Sequence, residues 1–128
     1  MNEHAKLWLE ALESGRYRQT RGVLEDADGN CCLGLACRVY MEAGNDLLTE
    51  GPVLAVDAQL GREGFVLFAG EAINLPGVVR IWLGLRTAVG GYRDESGDRH
   101  NLAKANEAGK TFHEIAQIIR DHEADLFE

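Results

Sequence analysis

The chain has 128 residues, 45% of them hydrophobic and 27% charged, with a formal net charge of −8 and a pI near 5.0. That length and balance suit one folded domain over residues 1–128 with its own core, and exclude a disordered chain. The acidic charge opposes direct DNA binding and attachment to an anionic membrane surface.

No apolar run approaches ~20 residues, so no membrane span is expected. The opening Met1-Asn2-Glu3-His4-Ala5-Lys6 lacks the apolar stretch of a signal peptide. The expectation is a cytoplasmic protein whose three cysteines stay reduced.

Ala5, Trp8, Leu9 and Leu12 recur at i, i+3, i+4 and i+7, which predicts an amphipathic helix over Glu3–Glu13, closed by Ser14-Gly15. After the polar, basic Tyr17-to-Gly22 stretch, Val23-Leu24-Glu25 reads as a short strand, and Asp26-Ala27-Asp28-Gly29 carries a tight-turn signal. Asn30 is expected to cap a second helix running to Ala43 and stopped at Gly44, with Leu33, Ala36, Cys37, Tyr40 and Met41 inside and Arg38 and Glu42 outside. Gly34 costs about 1 kcal/mol in a helix interior relative to alanine. Its presence there predicts the close approach of another backbone.

Farther on, Val53-to-Val56 and Phe65-to-Phe68 are candidate strands, the second entered through a Gly61-to-Gly64 hairpin loop. Pro76 opens a third helix carrying Val78, Val79, Ile81, Trp82 and Leu83, with Trp82, like Trp8, expected in the core. Thr87-Ala88-Val89 reads as strand and Gly90-to-Arg99 as a polar loop. Leu102-to-Ala108 predicts a short helix ended by Gly109, and Thr111 with Glu114 a capping box opening a final helix with the stripe Phe112, Ile115, Ala116, Ile119 and Leu126. The sum is an α+β chain: a single compact domain of about four helices around a small antiparallel sheet.

Two stretches carry chemistry. Asn30-Cys31-Cys32-Leu33-Gly34-Leu35 places cysteines at a helix start, where the free N–H groups and dipole favour a thiolate. Cys32 is then either a nucleophile, with His100 as base and Asp94, Glu95 or Asp98 orienting it, or a small apolar residue of the core. Arg16, Tyr17, Arg18, Gln19 and Arg21 put guanidinium groups beside an aromatic ring, a set suited to a phosphate, nucleotide or carboxylate ligand, or else to a solvated connection. Cys31, Cys32 and Cys37 lack the pairing of structural zinc, and His4, His100, His113 and His122 are scattered, so neither metal nor cofactor is expected. The Leu102-to-Ala116 region has the outline of a helix-turn-helix, but Glu114, Asp121, Glu123 and Asp125 carry the wrong sign to meet phosphates.

Trp8-x-x-Ala11-Leu12-x-Ser14-Gly15-x-Tyr17-x-Gln19, Cys31-Cys32-Leu33-Gly34-Leu35 and the closing Ala108-Gly109-Lys110-Thr111-Phe112-x-x-Ile115-Ala116-x-Ile118-Ile119 resemble a family of small phage and prophage proteins without assigned biochemistry. The resemblance covers the two ends of the chain. It implies an accessory phage product acting in the host cytoplasm, and it transfers no catalytic residue. A shorter run, Cys32-x-Gly34-Leu35-x-x-x-Val39-Tyr40-x-x-Ala43-Gly44, is similar to the nucleophile helix of papain-like bacterial cell-wall endopeptidases. Those enzymes place the base on a following strand, and the first histidine after Cys32 here is His100.

The expected function is therefore a non-catalytic phage accessory protein that binds and inhibits or sequesters a host or host-defence component. Its partner would be a host or defence protein or a small phosphate-containing ligand, a nucleotide sponge acting through Arg18 and Arg21 being one form. Uncovered short apolar segments leave room for a homodimer. The alternative is a cysteine-dependent hydrolase or transferase using Cys32 and His100.

Overall fold

Asn2 begins the fold by accepting the Ala5 N–H at 2.8 Å through its side chain, capping α1 (Glu3–Glu13). Ala5, Trp8, Leu9 and Leu12 are all buried, and Gly15 leaves the helix at φ 73°. The computed structural model describes residues 1–54 and 60–128. Among them are six helices and three two-stranded antiparallel sheets, an α+β domain packed around one hydrophobic cluster. Among the described residues, no helix is long and apolar enough to cross a membrane.

Strands β1 (Glu25–Asp26) and β2 (Gly29–Asn30) form a hairpin closed by Ala27-Asp28. The strand falls two residues later than Val23-Leu24 because both of those side chains are buried in the core instead of alternating across a ladder. Helix α2 (Cys32–Glu42) follows. Asn30 does not cap it: that side chain is buried, donating to the Leu24 carbonyl and the Glu25 carboxylate, and Cys31 Sγ accepts the Gly34 N–H at 3.4 Å in its place. Gly34 has the expected cause. A Cβ at this position would stand 1.7 Å from the Leu24 carbonyl oxygen, so only glycine lets the β1 approach lie against α2.

Strand β3 (Thr49–Glu50) pairs with β4 (Leu67–Phe68), which shortens the expected Phe65-to-Phe68 strand to its last two residues. Val53 and Leu54 lie outside any strand, and Ala55 and Val56 lie outside the described residues. Helix α3 (Gly77–Leu83) starts after Pro76 and ends on Gly84 at φ 74°. It buries Val79 and Leu83, while Val78 and Ile81 are 53% and 68% exposed, because a helix this short offers only one stripe to the core. Trp82 is half-buried, stacked on His4 and edge-on to Tyr40.

Thr87-to-Val89 is a turn, not a strand, and the expected Gly90-to-Arg99 loop is a hairpin of β5 (Gly91–Arg93) and β6 (Arg99–Asn101). Helix α4 (Leu102–Glu107) is capped by Asn101, and α5 (Phe112–Asp121) by Thr111 with the complete capping box to Glu114. The last expected helix breaks at His122, and α6 (Glu123–Leu126) carries Leu126 into the core. Arg86 N–H donating to the Leu126 carbonyl and Glu128 N–H to that of Gly84 tie this end against the turn after α3. The hairpin β5–β6 is thereby seated beside α6.

Candidate functional site

Helix α2 places Cys32 in its first turn, but tertiary packing settles its state. Cys32 is 0% exposed. Its N–H donates to Asn106 Oδ1 at 3.1 Å, its carbonyl accepts the Trp8 indole N–H at 2.9 Å, and its thiol points to the Leu102 carbonyl at 3.6 Å. Burial pushes the Cys32 thiol well above its ordinary value, with the neighbouring Cys31 adding to the shift, and burial likewise raises Cys31 and Cys37. The helix N-terminus favours a thiolate, yet desolvation outweighs it here.

His100 stands on β6, exposed, with Nε2 hydrogen-bonded to Asp94 Oδ2 at 2.7 Å. That bond, helped by the Asp98 and Ser96 N–H groups, holds the Asp94 carboxyl below its usual range. Of the three acids read as partners for His100, Asp94 makes the contact, whereas Glu95 and Asp98 are exposed loop residues. No hydrogen bond joins Cys32 to His100 among the described residues. Nor do three His, Cys, Asp or Glu side chains among them gather as a metal site.

The arginine segment is divided by the fold. Arg16 lies over the Tyr17 ring at 5.4 Å, and the Tyr17 hydroxyl donates to the Glu42 carboxylate at 2.9 Å. Both residues line a groove of about 430 Å³ between α1 and α2, together with Glu10 and Glu42. Burial and the Glu42 charge raise the Tyr17 pKa. Gln19 turns inward, donating to Asn106 Oδ1 and the Lys110 carbonyl. Arg18 and Arg21 are exposed and tie down the fold through their backbones, accepting from the Asn30 N–H and the Arg62 guanidinium. The α1–α2 groove therefore opposes its one arginine with two carboxylates.

A second groove, about 550 Å³, lies between β5–β6 and α6 and is lined by Arg86, Tyr92, Arg93, Arg99, His100 and Asp125 among others. Arg93 and Arg99 are directly opposed across the antiparallel pair, an arrangement in which like charges destabilise. Neither guanidinium has a hydrogen bond or ion pair among the described residues. Arg86 is fixed by its Nε, which donates to the Phe127 carbonyl at 3.0 Å, leaving its outer nitrogens free for a ligand. The Tyr92 ring packs against two imidazoles, His100 at 5.5 Å and His122 at 4.5 Å between ring centroids. The Arg93 N–H donates to Asp125 Oδ2 at 2.9 Å.

The groove is missed by the sequence pattern, which reads Gly90-to-Arg99 as a polar loop where the structure has the β5–β6 hairpin. The signal was present: Tyr92-Arg93 and Arg99-His100 flank Asp94-Glu95-Ser96-Gly97-Asp98, whose composition is that of a turn. Folding that segment about its turn brings the two arginines opposite one another.

No curated protein and no solved structure matches the chain. The family model for DUF8296, a domain of unknown function, matches residues 1–123, and the chain belongs to that family.

Proposed function

We propose that the protein is a non-catalytic binding protein of the host cytoplasm, a phage accessory product that inhibits or sequesters a host or host-defence component by capturing an anionic group on it. The phage assignment rests on the sequence resemblance. The binding assignment is carried by one observation: the opposed, unneutralised Arg93 and Arg99 beside Arg86, in a chain of net charge −8. A protein with that many carboxylates has ample means to pair its arginines, as Glu25 does bidentately with Arg38 and Asp26 with Arg62. Leaving two guanidinium groups side by side is a cost that a bound anion removes.

The sealed environment of Cys32 favours this reading over the cysteine hydrolase, since a nucleophile needs both access and a base. The ligand contact also moves, in this proposal, from the Arg16-to-Arg21 segment to the hairpin groove. Calorimetric titration with pyrophosphate at low salt tests it. Saturable binding that survives Cys32→Ala and is lost in the folded Arg93→Gln, Arg99→Gln double variant is the expected result. Binding abolished by Cys32→Ala in a folded protein, or retained by the double arginine variant, would overturn it.

A further inference from the structure

The groove of about 430 Å³ between α1 and α2 has an apolar floor, to which Leu7 and Ala11 contribute from the first helix and Val39 and Ala43 from the second. Leu7 is 43% exposed, on a helix that buries Ala5, Trp8, Leu9 and Leu12. His4, Leu7 and Ala11 recur at i, i+3 and i+7, so they share one face of α1. On that face His4 stacks against Trp82 at 4.3 Å, and Trp82 meets Tyr40 of α2 edge-on at 5.2 Å. Through Trp82 the apolar surface continues onto α3, where Val78 and Ile81 lie open to solvent. A single exposed leucine needs no explanation, but an apolar surface shared by three helices marks an interaction site.

The walls and the rim of the groove select its occupant. Both walls are helices, whose backbone groups are engaged within their own turns, so an occupant gains side-chain contacts here and no strand pairing. Its own backbone must then be satisfied internally, as in a helix laid into a groove. The rim carries Glu10 on one wall and Glu42 on the other. Neither carboxylate forms an ion pair among the described residues, Glu42 accepting the neutral Tyr17 hydroxyl. Arg16, the one cation of the lining, is held over the Tyr17 ring. A second copy of the chain is a poor occupant. It brings a further charge of −8, and a two-fold contact would set Glu10 and Glu42 against their own kind. We propose that the α1–α2 groove docks a basic amphipathic helix of a partner protein, its apolar face on Leu7, Ala11 and Val39 and its cationic side chains against Glu10 and Glu42. This surface is separate from the hairpin groove and independent of the anion-binding reading.

Fluorescence anisotropy of the native chain at physiological salt tests this with a labelled peptide of leucine, alanine and lysine, its leucines at i, i+3, i+4 and i+7. One control scrambles the same residues, which keeps the charge and destroys the apolar face, and another replaces each lysine by glutamate. The patterned peptide is expected to bind about tenfold or more tighter than the scrambled one, corresponding to roughly 1.4 kcal/mol, and the glutamate peptide is expected not to bind. Leu7→Lys, and separately the Glu10→Lys, Glu42→Lys double variant, should each weaken the patterned peptide by about tenfold or more, with melting curves confirming the fold. The Arg93→Gln, Arg99→Gln double variant should bind it as the native chain does, which keeps a failure here distinct from a failure of the anion site. Equal affinity for the patterned and scrambled peptides overturns the proposal, because charge alone would then account for the contact. So does undiminished binding to the folded Leu7→Lys variant, or no binding of the patterned peptide to the folded native chain.

Discussion

The first turn of α2 and the β5–β6 hairpin both carry the residue types from which active sites are built, and the fold treats them in opposite ways. Around Cys32 every polar atom is answered from within the chain: the N–H by Asn106, the carbonyl by Trp8, the thiol by Leu102. Among the described residues no buried side-chain nitrogen or oxygen lacks a partner. On the hairpin, Arg93 faces Arg99 with neither guanidinium paired. Saturated polarity in a core is what a scaffold requires, because an unanswered buried group costs the full desolvation penalty. Unanswered charge on an exposed hairpin costs much less, since water screens it, and so it is tolerable where a ligand is to bind.

The contrast predicts a graded series of stability effects, all read from urea denaturation. Gly34→Ala lies at the head, since a Cβ 1.7 Å from the Leu24 carbonyl forces backbone apart. We expect a loss of about 3 kcal/mol or more, and a variant of native stability would show that α2 does not press on the β1 approach. Asn106→Ala comes next. It strips partners from the Cys32 N–H, the Gln19 amide and the Thr20 carbonyl at once, and roughly 2–3 kcal/mol should go. A loss below ~1 kcal/mol would mean that water replaces the amide, making this region less sealed than described.

Asp26 offers a pH-dependent test. Burial works against its ionised form, but the Thr20 hydroxyl, the Asp28 N–H and the Arg62 guanidinium together hold its carboxyl below the usual range. Its folded value lies below the unfolded one, so its stabilisation is complete above the ordinary carboxylate pKa of ~3.9. That stabilisation drains away as pH falls through the lower folded value. Asp26→Asn should cost about 1.5 kcal/mol at neutral pH, and the gap to the native chain should shrink in acid. A gap of constant size between pH 7 and pH 3 contradicts the assignment.

The smallest effect carries the opposite sign. Arg93→Gln relieves the cross-strand repulsion and should stabilise the empty protein by roughly 0.2–1 kcal/mol, even as it weakens anion binding. Were that substitution destabilising, Arg93 would be a structural residue and the contrast between the two regions would collapse.

Much of the helical frame could be read directly from residue patterns. The stripe Ala5, Trp8, Leu9 and Leu12 set α1, and Thr111 with Glu114 set the start of α5, because amphipathic period and capping chemistry act over a few neighbouring residues. Gly34 even foretold a backbone contact, since a glycine inside an apolar helix demands a reason. The strands were harder. With two or three residues each, they are too short to show alternation, and their pairing depends on turns and on what packs beneath them. Asn30 misled for a related reason: the same side chain can cap a helix or satisfy a hairpin, and burial against Leu24 and Glu25 selected the second.

Local chemistry along the chain was thus sufficient for its class, its principal helices and the inventory of reactive side chains, all of which depend on interactions between near neighbours. Which of those side chains meets solvent is a property of contacts between distant segments. Asn106 and Leu102 of α4 closing over Cys32, and α6 lying beside the β5–β6 hairpin, join parts of the chain far apart in sequence. Burial and charge pairing arise from such contacts, and so the cysteines became core and the arginines of a presumed loop became the candidate site.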